Sequence, residues 1–177
     1  SEIALRALDR ALTEAAARKV PVRLLCAFPV AVVGDPGLEQ RFHDAVKAES
    51  ESHLEAAGEY ARSHAPDVEI RKVLGEGDAA RAVLHAAKDA CLVVMGKRGH
   101  HGVRGRVGSV SAAVASHAKV PVVPGYLDHE GSCLVVGEAL DFRRHWDTRG
   151  SRPIVRAMAD EIMIAIAELS GLPYRDL

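Results

Sequence analysis

Residues 91–95 read CLVVM, a run of apolar side chains with no polar residue alternating through it. A strand that meets water on one side alternates polar and apolar residues, whereas a strand covered on both faces reads as a continuous apolar run. Such a run therefore asks for helices on both faces of a sheet, which points to an α/β fold with parallel strands. The rest of the sequence supplies them. Residues 1–18 are alanine-rich and place Ile3, Ala4, Leu8, Ala11, Leu12 and Ala15 at helical spacing, with Ser1 as the N-cap. Residues 20–28 (VPVRLLCAF) predict a buried strand closed by Pro29, and residues 30–36 a loop ending in turn chemistry. Residues 37–64 predict a long helix, charged on one side, with Leu38, Phe42, Val46, Leu54, Ala57 and Ala61 on the other and Pro66 beyond its end. Residues 68–74 (VEIRKVL) alternate, as a strand nearer a sheet edge does. Asp78 then caps a helix running to about Asp89. After the 91–95 strand and a glycine-rich loop come a short helix over 110–118 and another buried strand over 120–123. Alternation of this kind specifies a mostly parallel sheet with helices on both sides, a three-layer α/β/α arrangement.

The pattern changes at Pro124. Residues 125–132 are polar and turn-rich, residues 133–137 (CLVVG) predict one more strand, and residues 142–151 (FRRHWDTRGS) are charged and aromatic. Residues 152–170 predict an amphipathic helix with Ile154, Met158, Ile162, Ala165, Ile166 and Leu169 on one stripe, stopped by Gly171 and Pro173. The sequence thus divides into a domain of residues 1–124 and a strand-plus-helix extension of residues 125–177, expected to pack on the same sheet.

Composition narrows the function. Lys and Arg total 23 against 24 Asp and Glu, so the net charge of -1 lacks the basic excess of a nucleic-acid binder. No uncharged stretch approaches the roughly 20 apolar residues of a bilayer span. The opening residues carry Glu2, Arg6, Asp9 and Arg10, unlike a signal peptide. Cys26, Cys91 and Cys133, an odd number of cysteines without CxxC spacing, each lie in an apolar run. They read as small buried hydrophobes in a reducing compartment, so a cytoplasmic location is expected, with neither nucleic acid nor membrane as partner. Aromatic residues make up only 4% of the chain, so stacking platforms are scarce.

The loop of residues 96–109 (GKRGHHGVRGRVGS) is the candidate site. It leaves the carboxyl end of a predicted parallel strand, the edge at which open α/β sheets bind ligands. Its glycines let backbone amides approach an anion. Lys97, Arg98, Arg104 and Arg106 supply positive charge, and Gly108-Ser109 opens a helix whose amino end favours phosphate. It is not a Walker loop, because no Gly-Lys-Ser/Thr follows a four-residue gap. His100-His101 lacks a third ligand, so no metal is expected. Ser109 and Ser111 lack the sequence pattern of a hydrolase elbow, so no catalytic residue is expected.

The run EGDAARAVLHAAKDACLVVMGKRG, followed by GSVSAAVASHAKVPVV, resembles the universal stress protein family over residues 1 to about 123. The resemblance implies an adenine nucleotide alpha hydrolase-like fold, a homodimer and ATP or a related nucleotide as ligand, bound rather than turned over, with any hydrolysis slow and incidental. By the family's pattern of Gly, two residues, Gly, nine residues and Gly-Ser/Thr, it implies that Gly96, Arg98, Gly99, Gly108, Ser109 and Val110 hold the nucleotide. Eight residues rather than nine separate Gly99 from Gly108. The family's first strand, with its adenine-contacting Asp, has no counterpart ahead of Ser1. Residues 133–137, followed by Glu138 and Asp141, repeat the order of apolar run, glycine and acid, and are expected to insert between the strands of residues 20–28 and 91–95, with Glu138 or Asp141 replacing that Asp.

Residues from about 119 to 177 resemble instead the carboxyl-terminal end of glycerol-phosphate-type acyltransferases, as in a fusion or chimera. That family's His, four residues, Asp motif is absent, since none of the nine histidines has Asp five positions on. The alternatives to a nucleotide-binding module are therefore a non-binding scaffold with a degenerate loop and an inactive acyltransferase remnant.

Overall fold

The computed structural model describes residues 2–30, 34–96, 108–117, 120, 122–123, 125–127, 134–142, 144–145 and 151–171. The chain forms two compact units, Ser1–Met95 and Gly96–Leu177. The first boundary of compaction thus lies ahead of the change in sequence style at Pro124.

The first unit is built on two parallel strands, β1 (Val22–Phe28) and β2 (Ile70–Glu76), paired in register from Val22↔Ile70 to Phe28↔Glu76. The connection between them is α2 (Pro36–His64). Asp35 caps α2, its carboxylate accepting from the amides of Gly37 at 2.8 Å and Leu38 at 3.0 Å, while Pro36 takes a first-turn position where no N–H is required. Ahead of β1, α1 (Glu2–Arg18) ends on Lys19 at φ 54°, with the amides of Lys19 and Val20 bonded back to the carbonyls of Ala16 and Ala15. That is the paired closure of a left-handed helix end, here without the usual glycine.

Side chains of the two strands sort onto two faces by parity. Even-numbered positions meet α1 and α2. Leu8, Leu12 and Ala15 of α1, Val22 of β1 and Ala61 of α2 form one buried cluster, with Leu24 and Ile70 packed against it. Further along the same face, Lys72 lies across Gly58 and pairs with Glu55, and Phe28 meets the ring of His43 edge-on. Odd-numbered positions meet α3 (Ala79–Ala86), whose Ala82 sits over Gly75 and Ala27. Asp78 caps α3 by accepting from the amide of Arg81 at 2.7 Å. At the other end Arg23 donates to the Ala86 carbonyl and pairs in bidentate fashion with Asp89, at 2.8 and 3.0 Å. Helices therefore cover both faces of the parallel pair, and the fold class is α/β, in agreement with the three-layer α/β/α reading.

The run of residues 91–95 departs from its predicted state. It joins no strand ladder among the described residues, and Cys91 is exposed rather than buried. The edge at which such a strand would pair is the outer edge of β1. The Val22 amide donates to the Glu69 carbonyl, and the Gly77 amide donates to the Phe28 carbonyl. This phase points the amides and carbonyls of Val22, Leu24, Cys26 and Phe28 toward β2, and those of Arg23, Leu25 and Ala27 toward the other edge. No described strand pairs with that edge. Instead a cavity of about 570 Å³ is lined there by Ala11, Ala15, Leu25, Val83, Leu92 and Val94, among others.

The second unit is organised by α5 (Arg152–Ser170), which ends on Gly171 in the left-handed conformation at φ 65°. Its Met158, Ile162, Met163 and Ile166 are buried with Phe142. Ala115 of α4 (Ser109–His117), Val122, Leu140 and Ile154 pack around them. The strand expected over residues 120–123 reduces to a single antiparallel bridge, Val122↔Leu140, and Val123 is exposed.

The expected insertion of residues 133–137 does not occur. β4 (Leu134–Val136) pairs antiparallel with β3 (Gly125–Leu127), a strand that the polar, turn-rich reading missed, and the two form a separate two-stranded sheet. Pairing with a partner a few residues away closes a short loop, whereas insertion beside β1 closes a far longer one at greater entropic cost. α5 packs against this hairpin and α4.

Two expectations follow. A Cβ on Gly75 would stand 2.7 Å from that of Ala82, with Ala27 at 3.7 Å. Gly75→Ala should therefore destabilise the protein by about 1–3 kcal/mol, and Gly75→Ala with Ala82→Gly by less than the sum of the single changes, in a double-mutant cycle read by denaturant unfolding. The second concerns α3. Hydrogen bonding from Arg23, then Asp89's own backbone bond and the charge of Arg23, lower the Asp89 carboxyl from 3.8 to about 2. A lowered folded-state value contributes stability that is complete above about pH 4 and lost as pH falls toward 2. The melting difference between the wild type and Asp89→Asn should be constant from neutral pH down to about 4 and shrink toward pH 2. A pH-independent difference would show that the ion pair is not its source.

Candidate functional site

The site is a helix amino end facing the start of a loop. α4 begins at Ser109, and the carbonyl of Gly108 accepts its first helical bond, from Ala112 at 2.9 Å. Gly108 is therefore the N-cap, and a glycine there brings no side-chain oxygen to the first-turn amides. No acidic residue occupies that turn. The amides of Ser109 and Val110 have no protein acceptor among the described residues, and their dipoles add to the positive end of the helix. Ser109 is exposed, while Gly108 and Val110 are half-buried. Gly96, also half-buried, is tied to the same helix, its carbonyl accepting from Ser111 Oγ at 2.7 Å.

Of the residues expected to hold a nucleotide, Gly96, Gly108, Ser109 and Val110 are thus gathered at one end of α4. Arg98 and Gly99 lie outside the described residues, as do the cationic Lys97, Arg104 and Arg106 and the pair His100-His101. Ser111 was read from sequence only as lacking a hydrolase elbow. The signal available for it is a serine in the first helical turn, two residues beyond Ser109, where short hydroxyl side chains bond backbone groups rather than solvent.

The family model of the universal stress proteins matches residues 1–123. The chain belongs to the universal stress protein family. The match carries the α/β fold and runs through α4, so it includes both ends of the glycine loop. It stops short of the β3–β4 hairpin and α5. Among curated proteins no match is found. Glu138 and Asp141, expected to replace the adenine-contacting Asp of universal stress proteins, follow β4 of the hairpin rather than a central strand, lie outside any strand, and are both exposed. Among the described residues no three His, Cys, Asp or Glu side chains cluster as a metal site, and no helix is long and apolar enough to cross a membrane.

Proposed function

We propose that this universal stress protein module binds ATP or a related nucleotide through its phosphates. The observation that carries the reading is the glycine N-cap at Gly108, with amides at Ser109 and Val110 that have no protein acceptor among the described residues and no acidic side chain in the first turn. Aligned amide donors without a capping carboxylate suit a phosphate, which the helix dipole also favours. Ser109 Oγ adds a donor at the exposed first position of the helix. A bound nucleotide supplies negative charge to this end of α4; the chain's own part is to hold the amide donors in place.

Base recognition has less to rest on. Among the described residues no strand lies at the edge of β1 away from β2 to carry an acid there, and Glu138 and Asp141 follow β4 outside any strand. Losing a hydrogen bond to the base costs about 1 kcal/mol, several-fold in affinity. Calorimetry should therefore give weak binding, with ATP, GTP and tripolyphosphate within about tenfold of one another. Gly108→Val should abolish it, because the branched side chain stands where the phosphate must approach the backbone. Tight, adenine-selective binding would overturn the phosphate-dominated reading, and no binding of any of the three at millimolar concentration would overturn the site.

A further inference from the structure

We propose that the outer edge of β1 is a docking site for an extended peptide strand of a partner protein, apolar in its middle and acidic at the end beside Arg23. The first observation is unpaired backbone. Even-numbered residues of β1 direct their amides and carbonyls to β2, whereas Arg23, Leu25 and Ala27 direct theirs to the other edge. No described strand pairs there, and residues 91–95 make no backbone hydrogen bond among the described residues. Both segments belong to the first unit and border one cavity of about 570 Å³, many times the roughly 30 Å³ that one water occupies. The second observation is the state of the apolar side chains around that cavity. Leu25, Val83, Leu92, Val94 and Met95 all line it, and all are only half-buried. α3 likewise has no buried residue, although Ala82, Val83 and Ala86 face the strands or the cavity.

A strand is the occupant whose chemistry fits these surroundings. It carries donors and acceptors along both edges, so it can pair with β1 on one side and with residues 91–95 on the other. Its side chains leave the backbone on two opposite faces. The cavity offers an apolar wall to each, with Ala11 and Ala15 from α1 and Val83 and Ala86 from α3. An acyl chain could fill the same space, but it would cover the amides and carbonyls of Arg23, Leu25 and Ala27 without bonding them, which is costly. Pairing continues the β1–β2 sheet by one strand, the mode in which main-chain bonds supply affinity and side-chain pockets supply specificity. Charge sets the end that bears the acid. Arg18, Arg23 and Arg71 line the cavity with Glu14 and Asp89, three cations to two carboxylates. Arg71 stands opposite Arg23 in the ladder, so this surplus lies at the amino end of β1. A sheet covered by helices on both faces favours parallel strands, so the acid belongs at the amino-terminal end of the peptide.

The test uses the full chain and an end-blocked peptide, Asp-Val-Ile-Val-Thr-Val-Lys, labelled with fluorescein on its lysine. A second peptide is N-methylated at alternate residues, which keeps the side chains and removes the donors of one edge. A third has lysine in place of aspartate. Fluorescence anisotropy reads affinity, and amide hydrogen exchange followed by NMR reads where the peptide sits. The first peptide should bind saturably, the N-methylated one at least about tenfold more weakly, and the lysine one several-fold more weakly. Exchange protection should rise most at Arg23, Leu25 and Ala27, and least at Val22, Leu24 and Cys26, whose amides already face β2. Equal affinity for the N-methylated peptide, or protection without that odd-numbered pattern, would overturn the proposal. So would no peptide binding at millimolar concentration, whether decanoate binds instead, which would give the cavity to an acyl chain, or nothing does. A chain that dimerises without peptide and already protects the three odd-numbered amides would give the edge to a second copy and overturn it too.

Discussion

The parallel ladder between β1 and β2 is the constraint on which the first unit depends. Parallel neighbours cannot be joined by a tight turn, so the chain has to cross over the sheet before it returns. α2 is that crossover, and its length is set by the capping carboxylate of Asp35 at one end and the break before Pro66 at the other. The ladder also fixes side-chain parity. Once Val22 stands opposite Ile70, Leu24 is committed to the face of α1 and α2, and Ala27 and Gly75 to the face of α3. A slip by one residue would carry Arg23 and Arg71 into the apolar cluster and Val22 out of it.

The two faces are held by different physics. The α1–α2 face is an apolar cluster of Leu8, Leu12, Ala15, Val22 and Ala61, and burial of such side chains contributes on the order of 1.5–3 kcal/mol for each large one. The α3 face is narrower. Alanine and glycine permit close approach of helix to strand at Ala82 and Gly75, and the end of the helix is tied down by Arg23 through Ala86 and Asp89. Arg23 is the odd-numbered residue whose exposure is least expected in a buried strand, and its ion pair with Asp89 explains its presence there.

The second unit follows a separate logic. α5 carries one apolar stripe, and Met158, Ile162 and Ile166 on that stripe find partners in α4, Phe142 and the bridge between Val122 and Leu140. α4 is shared between two tasks. It holds Ala112, Val114 and Ser116 out of solvent, while the amides of Ser109 and Val110 at its amino end have no protein acceptor among the described residues and Ser111 reaches Gly96. The helix whose amino end forms the candidate site is thus anchored by burial along its length.

The five helices of the described residues were legible in the sequence, because helical spacing, capping residues such as Asp78 and breakers such as Gly171 act within a few residues of one another. The strands β1 and β2 were legible for the same reason, and so was membership of the universal stress protein family, whose motif survives in Gly96, Gly108 and Ser109. Local signals could not decide pairing. Residues 91–95 are as apolar as a central strand, and residues 133–137 nearly so, yet a strand exists only where another backbone meets its amides and carbonyls. The tertiary structure sent β4 to a neighbouring segment, left residues 91–95 beside a cavity with no ladder among the described residues, and carried the Ser111 hydroxyl to Gly96. Each of these is a contact between distant or competing partners, settled by loop closure and packing rather than by the residues' own preferences.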